Sequence, residues 1–481
     1  MKKENLEDAI GGAHDDIILE TYNVKKKGSR KQRFVPLIAA ALAVSILIVS
    51  LSVVAHIVGN KPIKGSNTGL PRKYVLCEAV YPEAVKFPNS SLDYRSDEYM
   101  MQVANWTQEK QEKIEKYNAL GVDLNKFATK TAVKFLFDDE NGNVNTVYSP
   151  TLLYVSLAAL AEFTQDSSKR EDLFALLEVD SIEQLRERVS LLWKGVYEND
   201  GAATCIMANS FWVEDDFDVD RSILEQIAAN YFASVYAGKL SQGELNEHAR
   251  KWIESQTGGF LKSFTGDFEF DLNTVFAMVS TVYFKNAWKD EFDMTKKQVF
   301  YSESGEKKTF FMKNKLNTDY YYHEDYSAVC VPFEESGNAY FILPDEDKSV
   351  YDVISNGAID QILYSGETNL GEHSVTLWVP KFDVSCSLNM KKGLSELGVG
   401  SIFKSVDDHR GVSKIEQNFR LKIDSKGCEG AAYSIVSDVL EGIPPQPDKS
   451  VSVTFDRPFI FIVTTTIGEP VFIGVVNDPT A

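Results

Sequence analysis

Paired cysteines are missing from this chain. The five present, Cys77, Cys205, Cys330, Cys386 and Cys428, are odd in number and share no short spacing, so neither a disulfide scaffold nor a zinc site is expected. Histidine is scarce too, six in 481 residues, and His248, His323, His373 and His409 stand in no HExxH pattern and beside no GxSxG elbow. A triad can assemble from distant positions, so spacing alone does not remove one. With no local motif for such chemistry, no catalytic residue, no metal and no cofactor are expected, and the chain is read as not an enzyme. Positive charge is in deficit: 50 Lys and Arg face 70 Asp and Glu, a formal net of −20 at pH 7. Phosphate readers depend on clustered cations, and no such stripe stands out, so nucleic acid is not an expected partner.

What the chain does have begins with a run from Phe34 through Val58, free of Asp, Glu, Lys and Arg and long enough to span a bilayer as one helix. Lys25, Lys26, Lys27, Arg30, Lys31 and Arg33 stand just before it. The positive-inside rule therefore puts the tail in the cytoplasm and everything after Gly59 outside. A cleaved secretory signal is the competing reading, with Val53 and Ala55 as a weak cleavage site, although the basic region and the apolar core are both longer than such signals use. The expected organisation is a cytoplasmic tail (1–33), a transmembrane helix (34–58), an extracellular tether and N-terminal extension (59–120) and a main domain (121–481). Tyr99 to Tyr117 reads as a polar helix with Trp106 as its anchor to the main body.

Within the main domain, Leu124 to Leu136 repeats apolar residues at helical spacing. Leu152 to Phe163 is almost wholly apolar, as a helix buried on all sides must be. Near the C-terminus, Phe419 to Asp424 alternates apolar and polar residues as a half-buried strand, Val451 to Phe455 reads as another, and Pro458 to Val463 is apolar enough for a strand covered on both faces. Between them runs the long connector from about Gly427 to Pro445. Read as a strand, its residues Cys428, Gly430, Ala432, Ser434 and Val436 share one face, because side chains repeat every second position. That face is uniformly small. Pro444 and Pro445 end any ladder at the far end, since neither carries an N–H. A spare strand of this kind, needed by no nearby hairpin, is the candidate functional element.

These residues resemble the serpins. Gly427-Cys-Glu-Gly-Ala-Ala432 looks like the hinge of a serpin reactive-centre loop, and Phe455-Asp-Arg-Pro-Phe-Ile-Phe461 like the strand after it. Further similar stretches follow in order from about residue 120 to the end: Asn145-Thr-Val-Tyr-Ser-Pro150, Ala208-Asn-Ser-Phe-Trp-Val213, Lys251 to Leu261, Val282-Tyr-Phe-Lys-Asn-Ala-Trp288, Phe341 to Glu346, Trp378 to Phe382 and Leu394 to Gly400. Leu152 stands where the family usually has serine, Gln417 where it often has histidine, Ser280 where it has asparagine, and Cys428 where it prefers threonine or serine.

The resemblance implies an α+β serpin fold with three β-sheets, about eight or nine helices and an exposed reactive-centre loop at about 427–445. It implies a monomer that inhibits serine, or cysteine, endopeptidases by trapping the acyl-enzyme. Counting from the hinge puts the reactive bond at Glu441–Gly442, with Leu440–Glu441 as the shifted alternative. The hinge is then Gly427, Cys428, Glu429, Gly430, Ala431 and Ala432, and the region where the sheet opens contains Ser149, Pro150, Trp288 and Gln417. Glu441 before the cut suits an enzyme selective for Glu or Asp, whereas Leu440 suits an elastase- or subtilisin-like one. A non-inhibitory binding protein of the same fold and a membrane-anchored enzyme are the alternatives.

Overall fold

The structure, a computed structural model, describes residues 70–481 apart from 89–92, 94, 122, 138–143, 165, 218, 263–264, 267, 272–273, 335–336, 404–413 and 429–448. The expected membrane helix at 34–58 and most of the connector fall outside the described residues. No helix among those described is long and apolar enough to cross a membrane.

The described residues form one compact unit. Its first half runs β1 (Val75–Cys77), α1 (Asp97–Asn118), α2 (Asn125–Leu136), β2 (Thr146–Tyr148), α3 (Pro150–Phe163), α4 (Ser167–Leu177), α5 (Ile182–Val196), β3 (Glu198–Asn199), β4 (Thr204–Val213), α6 (Arg221–Asn230), β5 (Ala233–Ala237), α7 (Asn246–Gln256) and β6 (Phe276–Ala287). Its second half runs β7 (Met294–Ser302), β8 (Gly305–His323), β9 (Tyr326–Pro332), β10 (Asn338–Pro344), α8 (Val350–Ser355), β11 (Asn369–Pro380), β12 (Phe382–Asn389), α9 (Lys391–Leu394), β13 (Lys414–Ile423), β14 (Gly427–Cys428), β15 (Ser450–Thr454), β16 (Phe459–Thr464) and β17 (Pro470–Val476).

Helix starts follow local chemistry. Ser96, Ser149, Asp166, Ser181, Asp220 and Ser349 each turn a side-chain oxygen to an N–H of the first turn, which satisfies donors that would otherwise have no partner. In α3, Pro150 occupies the first turn, where a missing N–H costs nothing. Every residue of α3 before Phe163 is buried, as its mostly apolar pattern requires.

The strands form two sheets. The first has the order β1-β5-β4-β6-β14-β13-β12, with β3 added on β4; the second has the order β15-β11-β8-β9-β10-β16-β17-β2, with β7 added on β8. Three sheets were expected, and among the described residues two are hydrogen-bonded units. The physical reason is β8: this long strand pairs with β7 over its first half and with β9 at its end, while β11 runs beside most of it. One continuous ladder therefore joins what would otherwise be separate layers. The nine α-helices among the described residues match the expected number.

The main core lies between the sheets and around α3, and includes Leu153, Leu157, Phe211, Phe284, Phe341, Phe461 and Phe472. A second cluster covers the other face of the first sheet, where Trp252 and Ile253 of α7 meet Ala208, Trp212, Ala277 and Val279. The first sheet is thus held from both faces.

Candidate functional site

The sheet has a fork between β6 and β13. These two strands run parallel and pair only from Ala277 to Ser280 against Lys414 to Gln417. On their far sides both are laddered, β6 with β4 from Phe276 to Lys285 and β13 with β12 from Glu416 to Ile423. Beyond Ser280 and Gln417 the facing edges part. Among the described residues, 281–285 and 418–422 have no strand between them. At the open end, β14 enters as a two-residue wedge, with Gly427 opposite Ala287, and Cys428 opposite both Asn286 and Ile423.

Close approach makes glycine necessary at the wedge. A Cβ on Gly427 would sit 2.2 Å from the Asn286 carbonyl oxygen and 3.0 Å from the Ala287 Cα, both backbone atoms that cannot swing away. Cys428 is 1% exposed, a small side chain sealed into the sheet. The remaining hinge residues Glu429, Gly430, Ala431 and Ala432, and the reactive-bond candidates Leu440, Glu441 and Gly442, lie outside the described residues.

Trp288 closes the open end from outside. Its N–H donates to the Lys426 carbonyl at 3.0 Å, and its indole Nε1 donates to the Asp424 carbonyl at 2.8 Å, so both bonds hold the turn that leads from β13 into β14. The ring stacks on Phe333 with centroids 4.8 Å apart, and Trp288 is 1% exposed. Trp288 stands just past β6 and bridges to Phe333.

At the closed end the fork rests on a buried polar row. Asn209, Ser280 and Gln417 are cross-strand neighbours on β4, β6 and β13. The Ser280 hydroxyl donates to Asn209 Oδ1 at 2.6 Å, the Ser156 hydroxyl of α3 donates to the same oxygen at 2.7 Å, and the two hydroxyls are 3.1 Å apart. Gln417 is 1% exposed, and neither its Oε1 nor its Nε2 finds a protein partner. An unsatisfied buried amide costs about 1–3 kcal/mol, so the fork carries strain where the strands separate. Ser149 and Pro150 sit below as the buried start of α3, with Ser149 Oγ accepting from the Leu152 N–H at 3.1 Å. Leu152, where a serine was the family expectation, is fully buried and contributes no hydrogen bond from its side chain.

The structure thus brings Gly427, Cys428 and Trp288 together at one end of the fork, and Gln417 to the other above α3. Sequence reading passed over Ser156 and Asn209 as site residues. The available signal was a serine in the mostly apolar run of α3 and an amide in the mostly apolar run of β4, but their partners are distant in sequence. Among the described residues no group of His, Cys, Asp and Glu is arranged to hold a metal ion.

Known proteins resemble this chain in sequence and in fold. The family model described as Serpin (serine protease inhibitor) matches residues 123–479. Alpha-1-antiproteinase of Rattus norvegicus is 25% identical over 389 residues, 76% of this chain and 90% of that protein. Among solved structures, the thermophilic serpin tengpin in its native state superposes with a TM-score of 0.64 at 22% identity, covering 73% of this chain and 92% of that one. Human thyroxine-binding globulin in complex with thyroxine superposes with a TM-score of 0.65 at 17% identity, covering 74% and 100%.

Proposed function

Because the chain belongs to the serpin (serine protease inhibitor) family and is not an enzyme, we propose that it traps serine endopeptidases by inserting its cleaved loop into the first sheet. A protease accepts the loop as substrate and its nucleophile attacks the carbonyl of Glu441, or of Leu440 in the shifted register, forming an acyl-enzyme. Once the bond opens, the segment from Cys428 onward enters the fork as a new strand between β6 and β13. The fork carries this reading: among the described residues, two parallel strands with no strand between them beyond Ser280 and Gln417, already wedged apart at the end where the loop begins.

The energetics run the right way. At about 1 kcal/mol net per bond, roughly a dozen residues paired on two sides give on the order of 10–20 kcal/mol. That rivals the whole stability of an ordinary domain, about 5–15 kcal/mol. Burial of the inserting face demands small side chains, which Cys428, Gly430, Ala432 and Ser434 provide. Deacylation fails because the protease is dragged with the strand and its active site is distorted.

Residues 34–58 anchor the inhibitor in a membrane, with the tail 1–33 in the cytoplasm and the inhibitory domain outside, acting as a monomer. The arrangement of Lys and Arg before the run supports this orientation. A second reading, a binding protein of the same fold that never traps, draws on the likeness to thyroxine-binding globulin. Incubation with a panel of serine and cysteine endopeptidases, followed by denaturing gels, separates the two. A complex that survives denaturation supports the trap; clean cleavage of the loop with free protease supports the binder.

A further inference from the structure

The chain is acidic, yet one ribbon gathers cations. Lys296, Lys297, Lys307, Lys308, Lys313 and Lys315 lie in the hairpin of β7 and β8 and its continuation, against Glu303 and Glu306. Strand pairing and alternation put Lys296, Lys307, Lys313 and Lys315 on one face of the ribbon, and Lys297 and Lys308 on the other. Met294 pairs with Lys313, Lys313 with Trp378, and Trp378 with Thr454. Residues directly opposite on neighbouring strands share a face, so these four form one row across β7, β8, β11 and β15. Lys315, Thr376 and Ser452 form the next row, while Lys296, two residues on from Met294 and exposed, stands opposite the buried Phe311 at the margin of this face.

This is the outer face. The alternate residues Asn314, Leu377 and Val453 are buried, whereas Met294 is 49% exposed and Lys296, Lys315 and Ser452 are exposed. Lys313 is half-buried, with its ammonium 5.6 Å from the centre of the Trp378 ring. Lys307 is paired with Asp478 at 2.8 Å, but among the described residues no carboxylate forms an ion pair with Lys296, Lys313 or Lys315. In a chain with surplus acid, uncompensated cations beside an aromatic ring are an interaction surface in search of negative charge.

Its position suggests the occupant. β15 is the first strand after the loop, and the chain from Gly442 to Ser450 reaches at most about 30 Å even when fully extended. An endopeptidase of ordinary size has a radius of gyration of about 16 Å, so one gripping the reactive bond is held within reach of this sheet. We propose that the outer face of β7, β8, β11 and β15, centred on Lys313 and Trp378, is a docking surface that selects endopeptidases bearing an acidic patch beside the catalytic cleft. This rests on the reading that the loop is attacked by a protease. The surface acts on encounter: charge complementarity raises the association rate and fixes orientation, while salt screens it beyond about 10 Å.

The test uses the full chain and a triple variant, Lys296→Glu, Lys313→Glu and Lys315→Glu, with matching thermal unfolding as the control for folding. The second-order rate of loop attack is measured with a serine endopeptidase acidic beside its cleft and with one basic there. Against the acidic enzyme, the variant is expected to be slower by about tenfold or more at about 50 mM salt, and to come within about twofold of the parent at about 1 M salt. Against the basic enzyme it is expected to be equal or faster. Equal rates with the acidic enzyme at low salt, or the same deficit at both salt concentrations, overturn the proposal. The share of attacked molecules held in denaturant-resistant complex reports trapping separately, so a parent that is only cleaved refutes the trap while the rates still judge the surface. If neither enzyme cuts the loop, salt-dependent binding of the acidic enzyme with its serine chemically blocked serves instead, and equal affinity of parent and variant overturns the surface.

Discussion

Tyr117 donates its hydroxyl to Glu469 Oε1 at 2.8 Å, so the helix ahead of the family domain is bonded to the turn between the last two strands. Tyr364 donates to Oε2 at 2.8 Å and the Leu124 N–H to Oε1 at 3.3 Å. Glu469 is 2% exposed, and burial pushes its carboxyl up to about 7, outweighing the three donors that pull it down. The folded state therefore keeps a proton that the unfolded chain loses near its ordinary value of 4.5. This contribution to stability is fully present below 4.5 and is lost as pH rises toward 7. Glu469→Gln should remove that slope, because the amide oxygen can accept from Tyr117 and Leu124 while the amide N–H donates to the Tyr364 oxygen. Urea unfolding should find the variant roughly 2–3 kcal/mol more stable than the parent at pH 8 and nearly equal at pH 4. An unchanged pH slope would rule out this carboxyl as the cause.

Trp106 anchors the same helix at its middle. Its Nε1 donates to Asp200 Oδ2 at 2.8 Å, its ring meets Phe87 edge-on with centroids 5.1 Å apart, and the Lys110 ammonium lies 3.8 Å from the ring centre. Trp106→Ala is expected to cost about 2–4 kcal/mol locally. Hydrogen exchange should then show the amides of Asp97–Asn118 losing protection while those of β6 keep theirs. Full retention of protection in α1 would assign the anchoring to other contacts, such as the Lys113 ammonium on the Tyr197 carbonyl at 3.0 Å.

Gln417→Leu replaces an amide without protein partners by an apolar group of similar size in the floor of the fork. The intact protein should gain about 1–3 kcal/mol in equilibrium unfolding. Because the strain sits where β6 and β13 part, capture of protease should slow and more loops should be cleaved without capture. A destabilised variant would show that the amide is satisfied in solution.

Gly430→Arg tests the small face of the inserting segment. A long cation cannot be buried in the sheet without a partner, so this variant should be cut by protease yet hold none of it. Stoichiometry on denaturing gels is the readout, and capture equal to the parent would contradict insertion through this face.

Much of this was legible because the signals were local. The apolar run from Leu152 to Phe163 fixed α3, and the Ser149-Pro150 pair marked its start. Pro458 to Val463 read as a strand covered on both faces, and β16 is buried throughout. Tyr99 to Tyr117 read as a helix anchored by Trp106, and α1 spans Asp97–Asn118. What stayed hidden depends on long-range register. Ser156, Asn209 and Ser280 meet only because α3 lies under the pairing of β4 with β6, and no periodicity announces a contact between residues so far apart. The fusion of sheets through β8, and the alignment of lysines beside Trp378, are set by which strands become neighbours.

The central claim is that the spare strand lies outside the sheet until it is cut and then completes it. Thermal unfolding of the intact full chain, compared with the same chain clipped once within the loop, tests this most directly. Insertion should add on the order of 10–20 kcal/mol and raise the unfolding temperature by about 20 °C or more. A clipped chain that unfolds at the same temperature as the intact one, or below it, would contradict the account.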